Sequence, residues 1–270
     1  MTYATIALHL DHPAGIDERI DAAARLARRF EAHLVGIAAA GPGGAPPFTG
    51  AAGKAGVAAR ARADHFLHRM KAAPNPVSCE AGVVDEDDVD ALVRRSACCD
   101  LLVLSQPDPA GRDAAHRRDQ LDQVVLRSAA PTLVLPFAGR APLAADNVLV
   151  AWDGSHGAAR AVAGALPLLR RAGRVCLVRC DTPVEVDADV ESSGFDQPRD
   201  WLGRHGVRID ARLEHAGLDV GATLLACASD VGADLLVMGA WGQPRWAERL
   251  VGGVTRTVLS RMTIPVLMSH

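Results

Sequence analysis

Aromatic side chains are scarce: they form 4% of the 270 residues, and there is one tyrosine. A core without them must be built from Ala, Val and Leu, which suits helices packed on an aliphatic sheet. Hydrophobic residues still reach 49% and charged residues 23%, the ordinary balance of a globular chain. Long apolar runs are missing too. No stretch approaches the ~18–20 residues that a membrane-spanning helix needs. The opening residues Met1-Thr2-Tyr3-Ala4-Thr5 show no basic segment leading into an apolar run, so the expectation is a cytoplasmic protein without a signal peptide. A large charge of one sign is also absent. A formal net charge of −3 argues against a nucleic-acid protein held by bulk electrostatics. The local clusters Arg25/Arg28/Arg29 and Arg117/Arg118 read as solvated helix faces. Six cysteines are present without a CxxC pair, and they read as buried free thiols rather than disulfides or a zinc site.

The chain instead contains a repeat. Cys98-Cys99-Asp100-Leu101-Leu102-Val103-Leu104 parallels Gly232-Ala233-Asp234-Leu235-Leu236-Val237-Met238. Ala130-Pro131-Thr132-Leu133-Val134-Leu135 parallels Ile264-Pro265-Val266-Leu267-Met268, and both pairs are offset by 134 residues. The openings Thr5–Asp11 and Asn147–Asp153 also correspond. A duplicated unit of roughly 130 residues follows, the size of a common domain. The expected domains are residues 1–139 and 144–270, joined near Ala138–Ala145.

Each unit alternates apolar runs with helical periodicity. In the second, strands are predicted at 147–152, 174–180, 207–214, 235–238 and 265–268. Helices are predicted at 156–171, 194–205, 219–231 and 252–262, although Gly194, Pro198 and Gly203 interrupt the pattern of the second. Apolar strands separated by helices imply a mostly parallel, open five-stranded sheet covered on both faces, with right-handed crossovers. The fold class is therefore α/β, with two tandem Rossmann-like domains. In the first unit, residues 39–56 are rich in Gly, Ala and Pro and read as a long loop before a helix at 57–72.

The sharpest motif follows the strand at 235–238. Gly239-Ala240-Trp241-Gly242 is followed by nine residues and then by Gly252-Gly253-Val254-Thr255, where a helix begins. Ligands of open α/β sheets bind beyond the carboxyl ends of strands. Glycines let backbone approach a ligand closely, and free N–H groups at a helix start favour phosphate. Each glycine alone is as well explained by a turn or a cap; four in this arrangement point to a ligand.

The spacing G-x2-G-x9-G, carried by Gly239, Gly242 and Gly252, resembles the glycine loop of the universal stress protein family. Asp153-Gly154-Ser155 after the first strand resembles that family as well, and the likeness extends over both halves as a tandem, two-domain type. The resemblance implies an adenine nucleotide α-hydrolase-like fold and a ligand such as ATP, with Mg2+, or AMP or ADP. It assigns Asp153 to the base edge, where an Asx turn or helix cap is the alternative. Cys180 or Asp181 stands at the end of the second strand, beside the base. Gly239, Gly242, Gly252, Gly253, Val254 and Thr255 become the phosphate cradle. One departure matters: the hydroxyl that the family places after the third glycine is Gly253 here. Thr255 either replaces it or faces its own helix turn. Trp241 and Trp246 either cover a base or pack at a contact, and Arg245 and Arg249 either meet phosphates or stay solvated.

The first unit lacks the loop. Ser105-Gln106-Pro107-Asp108-Pro109 stands where the glycines belong. Prolines offer no amide donor, and Asp108, Asp113, Asp119 and Asp122 oppose phosphate, partly balanced by Arg112, Arg117 and Arg118. The expectation is a degenerate domain that binds no nucleotide in the usual mode, although Asp11 persists. The run Asp85–Asp88 reads as a helix cap rather than a metal site. His9, His12, His205 and His215 are candidates for approaching a site on folding. No nucleophile elbow, HExxH or P-loop occurs. The resulting reading is a stress-response protein that binds an adenine nucleotide, at most a slow hydrolase. Its first domain is a pseudo-dimer partner, and the chain forms a homodimer. The alternatives are an interaction scaffold without nucleotide and a hydrolase or transferase.

Overall fold

The computed structural model describes residues 2–11, 15–40, 51–84, 87–137, 143–181, 193–217, 219–241 and 253–270. They fall into two compact units, Thr2–Arg140 and Ala141–His270. Each is an open parallel five-stranded sheet with helices, the tandem α/β architecture read from the repeat.

In the first unit the elements run β1 Thr5–His9, α1 Ile16–Phe30, β2 His33–Ala39, α2 Ala51–Ala72, β3 Cys79–Val84, α3 Asp88–Ser96, β4 Leu101–Ser105, α4 Ala114–Arg127 and β5 Thr132–Leu135. The strand order is β3-β2-β1-β4-β5, and every pairing within it is parallel. In the second unit the order is β6 Asn147–Ala151, α5 His156–Leu169, β7 Arg174–Asp181, α6 Ser193–Arg204, β8 Asp210–His215, α7 Val220–Asp230, β9 Leu235–Gly239, α8 Gly253–Arg261 and β10 Val266–Ser269. Its strands lie in the equivalent order β8-β7-β6-β9-β10.

Central strands are buried on both faces, so their sequences are continuously apolar: Leu101–Leu104 and Leu235–Met238 are all buried. In each unit the chain steps from the first strand to one side, then crosses back to the other. Right-handed crossovers then divide the helices between the two faces. Accordingly α3 packs on α4, and α7 on α8, while α2 covers β2 and β3.

The repeated aspartates have a structural job. Asp100 Oδ2 accepts hydrogen bonds from the Ala4 and Thr5 amides, both at 2.8 Å. Asp234 accepts from Asp146 and Asn147 at 2.9 and 3.1 Å. Each carboxylate thus ties the start of the incoming β4 or β9 to the start of β1 or β6. The repeated prolines sit on the same pattern: the Pro131 and Pro265 carbonyls accept from Leu102 and Leu236 at 3.0 Å.

Two expectations need correction. Residues 39–56 are not one long loop, because Ala39 closes β2 and α2 begins at Ala51. The Ala-rich stretch 51–56 has enough helix propensity to extend the helix despite its glycines. The predicted strand from Val207 begins at Asp210 instead. By contrast α6 runs through Pro198; the proline lies beyond the first turn, so its missing N–H removes the helical bond to the Gly194 carbonyl.

Candidate functional site

Three strands of the second unit end together. In register, Ala151 of β6 lies beside Val178 of β7, and Val150 lies beside Val237 of β9. Two residues further along, Asp153, Cys180 and Gly239 reach the same carboxyl edge, on both sides of the point where strand order reverses. This is where ligands of open α/β sheets bind.

Asp153 is exposed, and its Oδ1 accepts the Ser155 amide at 2.9 Å. The turn is completed by Gly154 at φ 74°. Ser155 then caps α5 by accepting from Ala158 at 3.1 Å. The Asx turn expected as the alternative role of Asp153 is therefore present, and its carboxylate also stays open to solvent.

Gly239 has a packing reason to be glycine. A Cβ there would lie 2.6 Å from the Ala158 nitrogen and 2.9 Å from the Gly157 carbonyl carbon. Gly157 is glycine for the reciprocal reason, since its Cβ would come within 3.0 Å of the Ser269 oxygen. The start of α5 thus crosses the ends of β9 and β10 at backbone contact, which brings its N-terminus to the same edge.

Thr255 has a structural role at the helix start. It is 3% exposed, and its Oγ1 accepts the Trp241 amide at 3.1 Å. Trp241 takes φ 46°, a left-handed conformation unusual for a bulky residue. The hydroxyl therefore clips the chain leaving β9 to the first turn of α8. Gly253, exposed, and Val254, half-buried, form the open start of that helix. Gly242, Gly252, Arg245, Trp246 and Arg249 lie outside the described residues, as does His12.

Cys180 is half-buried. Burial, with Cys227, Glu214 and Asp181 nearby, pushes its thiol up to about 12. It therefore presents a neutral, compact side chain to this edge. Asp181 is held: its carbonyl accepts from Ala216 at 2.9 Å, and its carboxylate pairs with Arg179 at 3.1 Å. Among the other histidines, His205 lies against Trp201 with ring centroids 4.5 Å apart, and His215 ends β8. His215, in register with Asp181, lies along the same carboxyl edge two strands from Asp153.

Residues 145–270 match the model of the universal stress protein family. The second half of this chain is a universal stress protein domain. No curated protein sequence matches the chain. Among solved structures, a universal stress protein from Archaeoglobus fulgidus DSM 4304 superposes with a TM-score of 0.73 at 15% identity, covering 97% of each chain. A functionally unknown protein from Pseudomonas aeruginosa PAO1 gives 0.60 at 15% identity, covering 98% of this chain and 92% of its own. At such identity these likenesses establish the fold, which thus extends over the first half as well as over the universal stress protein domain.

The equivalent edge of the first half is built differently. Asp11 pairs with Arg19 at 2.7 Å and accepts the Ser105 hydroxyl at 2.5 Å. The carboxylate that corresponds to Asp153 is therefore occupied by the protein itself. Asp87 caps α3 by accepting from Val89 at 3.4 Å, and Asp88 meets His9 at 3.2 Å. Sequence reasoning noted Asp11 and His9 but missed Arg19, Asp88 and Ser105 as their partners. These residues are up to 94 positions apart and carry no local signature.

Proposed function

We propose that the universal stress protein domain binds ATP or a related adenine nucleotide, AMP or ADP, at the Asp153–Cys180–Gly239 edge. Asp153 meets the base, the backbone at Cys180 flanks it, and Gly239, Gly242, Gly252, Gly253 and Val254 cradle ribose and phosphates, with Mg2+ on the phosphates. Thr255 ties Trp241, where the loop begins, to the first turn of α8. The observation that carries this reading is the convergence at one sheet edge of an exposed Asx-turn aspartate, Gly239 and the amide-bearing starts of α5 and α8, with which the G-x2-G-x9-G spacing of the sequence agrees. The first unit acts as a pseudo-dimer partner, and the chain forms a homodimer in the cytoplasm. The function is a nucleotide-dependent change in conformation or partner binding during stress, with hydrolysis slow at most.

The test is ion-exchange chromatography of small molecules released on denaturing freshly purified protein, beside Gly252→Asp. Adenine nucleotide from the wild type and none from the variant is the expected result. The alternative reading, a scaffold without nucleotide, draws on Gly253 in place of a hydroxyl and on the engagement of Thr255. It takes over if neither protein releases nucleotide and millimolar ATP gives no calorimetric heat. Sedimentation of the full chain measures the dimer directly.

A further inference from the structure

The first unit has lost its glycine loop, yet a pocket of about 140 Å³ lies at the carboxyl ends of β1 and β4. These are the neighbours between which its strand order reverses, the position that selects for ligands in such sheets. The volume is below the ~300–1,000 Å³ of common cofactor pockets. Pro107 in the wall supplies no amide for a phosphate.

The walls carry both signs of charge in separate states of satisfaction. Asp11 and Arg19 neutralise each other, their side chains only 14% and 10% exposed. Asp88 is held through Oδ1 by His9. Burial raises its carboxyl, but the His9 hydrogen bond and the charges of His9, Arg62 and Arg117 outweigh that and keep it below the ordinary value. Arg112 and Arg117 also line the pocket, and among the described residues neither guanidinium has an ion pair or a side-chain hydrogen bond. Leu92, Leu121 and Val124 supply an apolar wall. Asp108 and Asp113 line the pocket as well, and Arg117 already acts on Asp88 at a distance, so carboxylates, a guanidinium without a hydrogen-bonded partner and a small aliphatic surface face one small volume.

We propose that this pocket is a second ligand site, taking a zwitterion of the α-amino-acid class with a small aliphatic side chain. Arg117, with Arg112 at the rim, receives the carboxylate in a charge-assisted fork. Asp88 receives the ammonium, and Leu92, Leu121 and Val124 receive the side chain. Asp11 and Arg19 form a closed floor. The site is independent of the nucleotide edge in the other unit, so the two readings stand or fall separately.

The test is calorimetric titration of the full-length protein with L-valine, L-leucine and L-isoleucine, beside isovalerate, isobutylamine and ATP. Saturable binding of an aliphatic amino acid is expected, with neither single-charge analogue binding and ATP failing to displace it. Arg117→Ala and Gln120→Trp, both at half-exposed positions of α4, weaken it by about tenfold or more with an unchanged circular dichroism spectrum. Absence of binding by all three amino acids overturns the proposal. So does equal binding by both variants, or displacement by ATP. Nucleotide released from the same preparations reports on the other site whatever the outcome here.

Discussion

Gly239 illustrates how one residue serves both packing and site formation. Backbone of α5 occupies the space where its Cβ would stand, with the Ala158 nitrogen 2.6 Å away. Gly239→Ala must push α5 off the ends of β9 and β10, and the expected loss is about 1–3 kcal/mol, the range for overpacking. Urea denaturation of the variant checks this. The cysteines make a second residue-scale prediction. Cys98 is exposed, contrary to the expectation of buried thiols, whereas Cys176 and Cys227 are buried. Burial and neighbouring groups raise Cys180 to about 12, and burial foremost raises Cys99 to about 11. Only the thiolate attacks alkylating reagents. Peptide mapping after brief iodoacetamide treatment at pH 8 should therefore find Cys98 modified first and Cys99, Cys176, Cys180 and Cys227 protected. The glycine pattern was legible because spacing is a local property. Its packing cause was not, because Ala158 comes from a helix 81 positions earlier in the chain.

Whole elements are held in register by single side chains. The Asp234 carboxylate receives two amides at the start of β6, and its counterpart Asp100 does the same for β1. Asp234→Ala leaves both donors without that charged acceptor. The expected loss is about 1.5–3 kcal/mol, the range for a hydrogen bond to a charged group, and Asp234→Asn retains part of it. Thermal or urea unfolding of the two variants separates these outcomes. At the other end of β9, the Thr255 hydroxyl clips Trp241 to α8. Thr255→Val keeps the shape and removes the acceptor. Amide exchange at Trp241 and in the first turn of α8 should accelerate while the sheet core stays protected. The repeat displayed Asp100 and Asp234 as matching residues from sequence alone. Their clamp role appears only when the strands lie side by side, since a strand's hydrogen-bonding neighbour is set by topology.

Across the molecule, paired carboxylates set the acid limit. Asp88 sits below its ordinary value, with burial opposed by His9, Arg62 and Arg117. Asp17 is lowered chiefly by its hydrogen bond to His65, at 2.6 Å. The unfolded chain titrates these carboxylates near ~3.9, so below that pH it binds more protons than the folded state. Their stabilisation is complete above about pH 4 and drains as pH falls through the lower folded values. Melting temperatures measured from pH 7 to pH 2.5 should fall on the acid limb, and Asp88→Asn should flatten that fall. A fall of equal steepness in the variant overturns the assignment. The sequence by itself determined the duplicated α/β unit, its strands and most of its helices, and the glycine spacing, because periodicity, propensity and repetition are written along the chain. Tertiary structure decided that Thr255 is a clip, that Asp11 is occupied by Arg19 and Ser105, and that His9, Asp88 and Arg117 share a pocket. Those facts depend on which strand ends meet, and a parallel sheet brings together residues that the sequence holds tens of positions apart.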